Sequence, residues 1–268
     1  MRKYRSRTWV LGLATLVAGC ATAKPNTTGE HADARPDGEV IGGRPDAMEP
    51  PDAPPHIDAP PGTPDARPPD AMIAQPDAMP GVVTMTQTNA NNIVVGNSVS
   101  CNDGSPFFDT SENSYYRAFK LSDYGVTGTF HLQKVDFGVE TAARGGASQS
   151  VTVKVYTYTG AYGGTTLDTT AMTLVTSGTV TVPDTTTGET LTANLSANIP
   201  ATATIVVEIF VPDGTAAGNE FFLGSNTGGE SKPGYIRAPD CSTTTPTAFS
   251  TLGVGEVDVL ITATGTYN

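Results

Sequence analysis

From about Gly81 to Asn268 the apolar residues recur at every second position, and no stretch of three helical turns carries them every third or fourth. Val151, Val153 and Val155 alternate with Thr152, Lys154 and Tyr156; Ile205, Val207, Ile209 and Val211 alternate with Val206, Glu208 and Phe210. Leu191, Ala193 and Leu195, and then Val257, Val259, Ile261 and Ala263, repeat the pattern. A period of two buries one face of a strand and leaves the other wet. Near Gln133 and Lys134 the parity slips: Phe130 and Leu132 share one face, Val135, Phe137 and Val139 the other. One inserted residue does this, so a β-bulge is predicted there. Further strands are expected at 82–88, 92–100, 115–120, 172–182 and 219–224. About nine or ten short antiparallel strands with one wet face predict an all-β sandwich over residues 81–268, jelly-roll-like in connection.

The N-terminus obeys different rules. Residues 1–7 carry Arg2, Lys3, Arg5 and Arg7 and no acid, and residues 8–19 are mostly apolar. A basic region, a short apolar run and small residues before a cut site make an export signal. The run is shorter than the ~20 residues a bilayer span needs. Its end, Leu16-Val17-Ala18-Gly19-Cys20, resembles the lipobox of bacterial lipoproteins. That resemblance implies loss of residues 1–19 and a diacylglycerol thioether on Cys20, with fatty acyl chains of the palmitate type. Two or three such chains anchor a protein stably. The next residue is Ala21 rather than Asp, which by the family's sorting rule points to the outer membrane, periplasm-facing or at the cell surface.

Residues 20–80 form the linker. Fourteen of the 60 residues from 21 to 80 are proline, and Pro-Asp-Ala recurs at 45–47, 51–53, 64–66, 69–71 and 76–78 at irregular spacing. Such a segment has little to bury against the cost of ordering, so disorder is predicted. Proline and mutually repelling acids favour extension, to at most about 190 Å as polyproline II and nearer 45 Å as a coil. A Pro-Asp-Ala-rich stalk after a lipobox resembles lipoproteins of Gram-negative soil bacteria.

Without the signal the chain has 11 Lys and Arg against 27 Asp and Glu, a formal charge of −16. That argues against nucleic acid as a partner and against attraction to anionic lipid. Beyond Cys20, two cysteines remain, Cys101 and Cys241. An even pair in an exported protein predicts a disulfide; two free thiols or a metal pair are the alternatives.

Catalytic patterns are missing from the sequence. There is no Gly-x-Ser-x-Gly elbow, no His-Glu-x-x-His and no Walker loop. His131 is the only histidine after residue 80 and sits on a strand between Phe130 and Leu132, pointing away from their face. Asp136 and Glu140 are a carboxylate pair of the kind glycosidases use, but sixteen acids in the domain produce such pairs by chance. Calcium is the one cofactor suggested, through Asp103, Asp213 and Glu220 in turn-rich segments; the competing reading is ordinary Asp-Gly turn chemistry. For a ligand, Lys154, Tyr156 and Tyr158 share the face opposite Val151, with Tyr162 in the following loop. Tyrosines there stack on a sugar if exposed, or pack as a second core if covered. Phe107, Phe108, Phe221 and Phe222 are expected in the core.

The segments Ser114–Phe119, Val135–Glu140, Phe221–Asn226 and Ala238–Cys241 are similar to β-sandwich modules at the C-termini of secreted bacterial proteins, which implies an accessory rather than a catalytic domain. The sequence thus predicts a lipid-anchored, non-enzymatic protein that presents a β-sandwich for binding a glycan or protein. A structural envelope lipoprotein without a soluble ligand is the alternative, and a hydrolase comes third.

Overall fold

The structure, a computed structural model, describes residues 8–11, 81–104, 108–145, 149–254 and 256–268. Cys20, the 21–80 linker and Phe107 therefore lie outside the described residues. The described chain is all-β and antiparallel. Its strands in order are β1 Thr8–Leu11, β2 Gly81–Met85, β3 Val99–Asn102, β4 Asn113–Lys120, β5 Thr129–Ala143, β6 Gln149–Tyr158, β7 Met172–Val182 and β8 Glu189–Pro200. There follow β9 Thr204–Val211, β10 Glu220–Leu223, β11 Ser225–Asn226, β12 Tyr235–Ala238, β13 Thr243–Ala248, β14 Asp258–Val259 and β15 Ile261–Tyr267.

One sheet runs β13-β12-β4-β9-β6-β7 and the other β2-β15-β5, with β8 on the free edge of β5 and β10 continuing along the edge that β15 occupies. Eight strands taken in chain order, β2, β4, β5, β6, β7, β8, β9 and β15, build two four-stranded layers ordered β2-β15-β5-β8 and β4-β9-β6-β7. That is the jelly-roll connection of two Greek keys. The segment from β10 to β14 is an insertion that widens the second layer with β12 and β13. In addition, β1 lies antiparallel along β3, pairing Thr8 with Asn102 and Leu11 with Val99.

The layers bury Phe119, Phe130, Phe137, Val153, Val207, Ile209 and Ile261 between them. The register of β5 against β15 shifts between Thr264 and Gly265, where Gln133 is the extra residue of β5. The bulge lets Phe130 and Val135 both face the core despite their odd separation. Cys101 and Cys241 form a disulfide that ties the β3 segment to the turn after β12.

Two expectations fail. Residues 92–98 are not strand: Val94 and Val95 lie in an irregular loop, where the buried Glu140 carboxylate accepts the amides of Gly96 (2.6 Å) and Ser98 (2.9 Å). A side chain replaces the ladder there. Nor is the outer face of the larger sheet wholly wet. The connection from β6 to β7 folds back over it and hydrogen-bonds β13, with Leu167 N donating to Pro246 O at 3.0 Å and Ala248 N to Thr165 O at 2.8 Å. Beneath it Tyr116, Tyr158, Leu167, Val206 and Tyr235 form a second apolar cluster. Phe221 and Phe222 are buried as predicted, whereas Phe108 is half-buried with a φ of 54°.

Candidate functional site

The tyrosine face is built by β6 against β9, with Lys154 opposite Glu208 and Tyr156 opposite Val206. Glu208 is 5% exposed and collects three donors: Tyr156 OH at 2.6 Å, Tyr116 OH at 3.3 Å and Lys154 Nζ at 3.3 Å. Lys154 also lies over the Phe210 ring, 4.4 Å from its centre. Burial, then the hydrogen bond and charge of Glu208, hold the Tyr156 hydroxyl above its ordinary titration range. Burial followed by the Glu208 charge does the same to Tyr116. Both hydroxyls therefore stay neutral donors.

Tyr158 is 5% exposed, inside the second cluster. Tyr162 is half-buried on the covering loop, under the Lys232 ammonium at 5.2 Å. Lys154, Tyr156 and Tyr158 thus share a face, but their polar atoms and rings are spent on Glu208 and on packing, and Tyr162 packs against the same second cluster.

The acids fare similarly. Asp103 Oδ1 accepts Asp109 N at 3.0 Å, and Asp213 Oδ1 caps its own turn through Thr215 N and Oγ1. Burial and then the neighbouring Asp109 raise the Glu220 proton affinity; burial and then Asp103 raise that of Asp109. Asp109 thus feels Asp103 and Glu220 feels Asp109, while Asp213 caps the turn after β9. Among the described residues no three His, Cys, Asp or Glu are placed to share a metal ion.

A larger feature lies on the outer face of the β2-β15-β5-β8 layer. It is an open groove of about 380 Å³. Phe137, Gly138 and Leu260 contribute its apolar lining. Thr84 and Thr262 rise from neighbouring strands, Lys134 and Asp136 from β5, Thr190 from β8, and Asn91 from the loop after β2. The Lys134 ammonium pairs with Asp136 Oδ2 at 2.8 Å, and Thr192 Oγ1 donates to Asp136 Oδ1 at 2.6 Å. At Gly138 the backbones approach closely: a Cβ there would meet Leu260 Cβ at 3.2 Å and Gly224 Cα at 3.3 Å, so its neighbours would have to give by a few tenths of an ångström.

The groove presents hydroxyls, an amide and one paired cation and anion around an apolar patch. That chemistry suits the alternating C–H and O–H surface of a sugar chain. Glu140, on the same face of β5, is buried under two amides, and His131 Nδ1 is 2.7 Å from Asn198 Oδ1.

Of the groove residues the sequence singled out Asp136 alone, as half of a carboxylate pair. Their parity was visible, since Lys134 and Asp136 alternate with Val135 and Phe137. The adjacency of β2, β15, β5 and β8, which joins those polar rows, is a property of the fold. No family model matches the chain, and no curated protein matches it either.

Proposed function

We propose that this protein is a lipid-anchored, non-enzymatic outer-membrane lipoprotein whose jelly-roll domain binds glycan through the groove on the β2-β15-β5-β8 layer. The carrying observation is that groove: polar side chains from four adjacent strands and a loop converge around an apolar lining. The anchor rests on the Leu16–Cys20 lipobox and the reach on the Pro-Asp-Ala linker. Lys134 and Asp136 offer a charged donor and acceptor, and the threonines offer hydroxyls that act as either.

Screening the purified protein against immobilised polysaccharides tests this reading. Retention is expected on at least one polymer, with Asn91→Ala and Lys134→Ala each weakening it about tenfold or more while the melting temperature stays within about 2 °C, since both side chains are solvent-facing. Retention that neither change affects, or turnover of the bound polymer, would contradict it. The tyrosine face is the second candidate for the same role, because Tyr156 and Tyr162 keep part of their surface.

A further inference from the structure

The approach to β4, the start of β6 and the turn after β9 close around a cavity of about 90 Å³. It shares no lining residue with the groove. Thr110, Gln149, Ser150, Asp213 and Asn219 line it, each carrying a side-chain oxygen, and among the described residues no Lys or Arg does. Gln149 is 4% exposed, and its Oε1 has no hydrogen-bond partner among the described residues. A buried amide carbonyl without a partner is costly, and native folds retain one where something absent from the protein atoms completes it.

The Thr110 hydroxyl is engaged, donating to Phe221 O at 3.2 Å and accepting Phe221 N at 2.7 Å, but further oxygens keep spare capacity. Asp213 Oδ1 is held by Thr215, while Oδ2 bonds no described residue. Asn219 Oδ1 accepts only Gly145 N at 3.2 Å, and the Thr110 carbonyl accepts Gly214 N at 2.8 Å, leaving a second lone pair on each.

We propose that this cavity binds one calcium ion, with the Asp213 carboxylate and Gln149 Oε1 as its side-chain anchors. An oxygen-only lining selects a hard cation over zinc or copper. Calcium accepts amide, hydroxyl, carbonyl and water oxygens in flexible geometry, whereas magnesium demands a tight octahedron and holds its waters. A single carboxylate places the affinity in the weak extracellular class, about 10⁻⁴–10⁻³ M.

The test is thermal unfolding of the full chain stripped with EDTA and returned to about 10 mM calcium or magnesium chloride. Calcium is expected to raise the melting temperature by about 3–8 °C, and magnesium by less than half as much. Asp213→Asn, on an exposed turn, should melt within about 2 °C of wild type in EDTA and lose the calcium response. Gln149→Leu should lose the response as well. The proposal is overturned if wild type does not respond, if magnesium matches calcium, or if both variants respond fully. It is also overturned if Gln149→Leu stabilises the EDTA form while wild type ignores calcium, because the cavity then holds only water.

Discussion

Arg117 is the largest fully buried side chain, and it carries a charge. Its Nε and Nη2 donate to Val259 O at 3.0 and 2.8 Å, and its Nη1 donates to Lys232 O at 2.7 Å and meets Glu230 Oε2 at 2.8 Å. One side chain thereby fastens the insertion to β4. Burial lowers the guanidinium's proton affinity, and Glu230 opposes that. Removing one partner of a buried pair typically costs 3–5 kcal/mol, so Arg117→Ala should lose about that much in urea denaturation, and Arg117→Met with Glu230→Gln should recover part of it.

Glu220, Asp109 and Glu230 all hold protons more tightly in the fold than free carboxylates do, in each case chiefly through burial; Arg117 only partly offsets it at Glu230. A raised folded value means that stability falls as pH rises from the ordinary carboxylate range through the folded one. In EDTA, the domain should therefore melt higher near pH 5 than near pH 7.5, and Glu220→Gln should narrow the gap. Asp168 and Asp184 are shifted downward by hydrogen bonds from Thr170 and Arg144, and what they contribute is lost only on stronger acidification. A higher melting temperature near pH 7.5 would reverse the sign of this account.

At the scale of elements, strand parity was the most legible feature. The sequence pattern placed β7 at its observed limits, Met172–Val182, and put the bulge beside Gln133. Deleting Gln133 should turn either Phe130 or Phe137 to solvent, and a variant that folded with native near-ultraviolet circular dichroism would show that the bulge does not set the register. What parity could not supply was the partner of each strand. β12 and β13 are short, and β13 contains Pro246, so neither stood out against its turns. The covered outer face had a signal beyond the tyrosines, whose packing as a second core was one of their two readings: Val206 interrupts the polar side of β9, and a strand apolar on both faces is buried on both. The Tyr156–Glu208 bond was invisible for another reason, because Glu208 reads as a wet-face residue until β6 and β9 are placed side by side.

For the whole molecule, the claims divide at residue 81. The reading of the first part rests on sequence. Cys20→Ser should yield soluble or unprocessed protein that no longer takes up labelled fatty acid, and a variant that stays with salt-washed membranes and labels as wild type does would remove the anchor. The reading of the second part rests on the groove, which recruits β2, β15, β5 and β8 only once the jelly roll has closed. The tyrosine face and the groove lie on opposite layers, so a bound glycan identifies one of them without ambiguity. The most direct measurement is amide chemical-shift mapping of the ¹⁵N-labelled protein titrated with a polysaccharide that it retains. Perturbations are expected to concentrate at Thr84, Asn91, Lys134, Asp136, Thr190 and Thr262. Perturbations centred on Lys154, Tyr156 and Tyr162, or spread without a focus, would contradict binding at the groove.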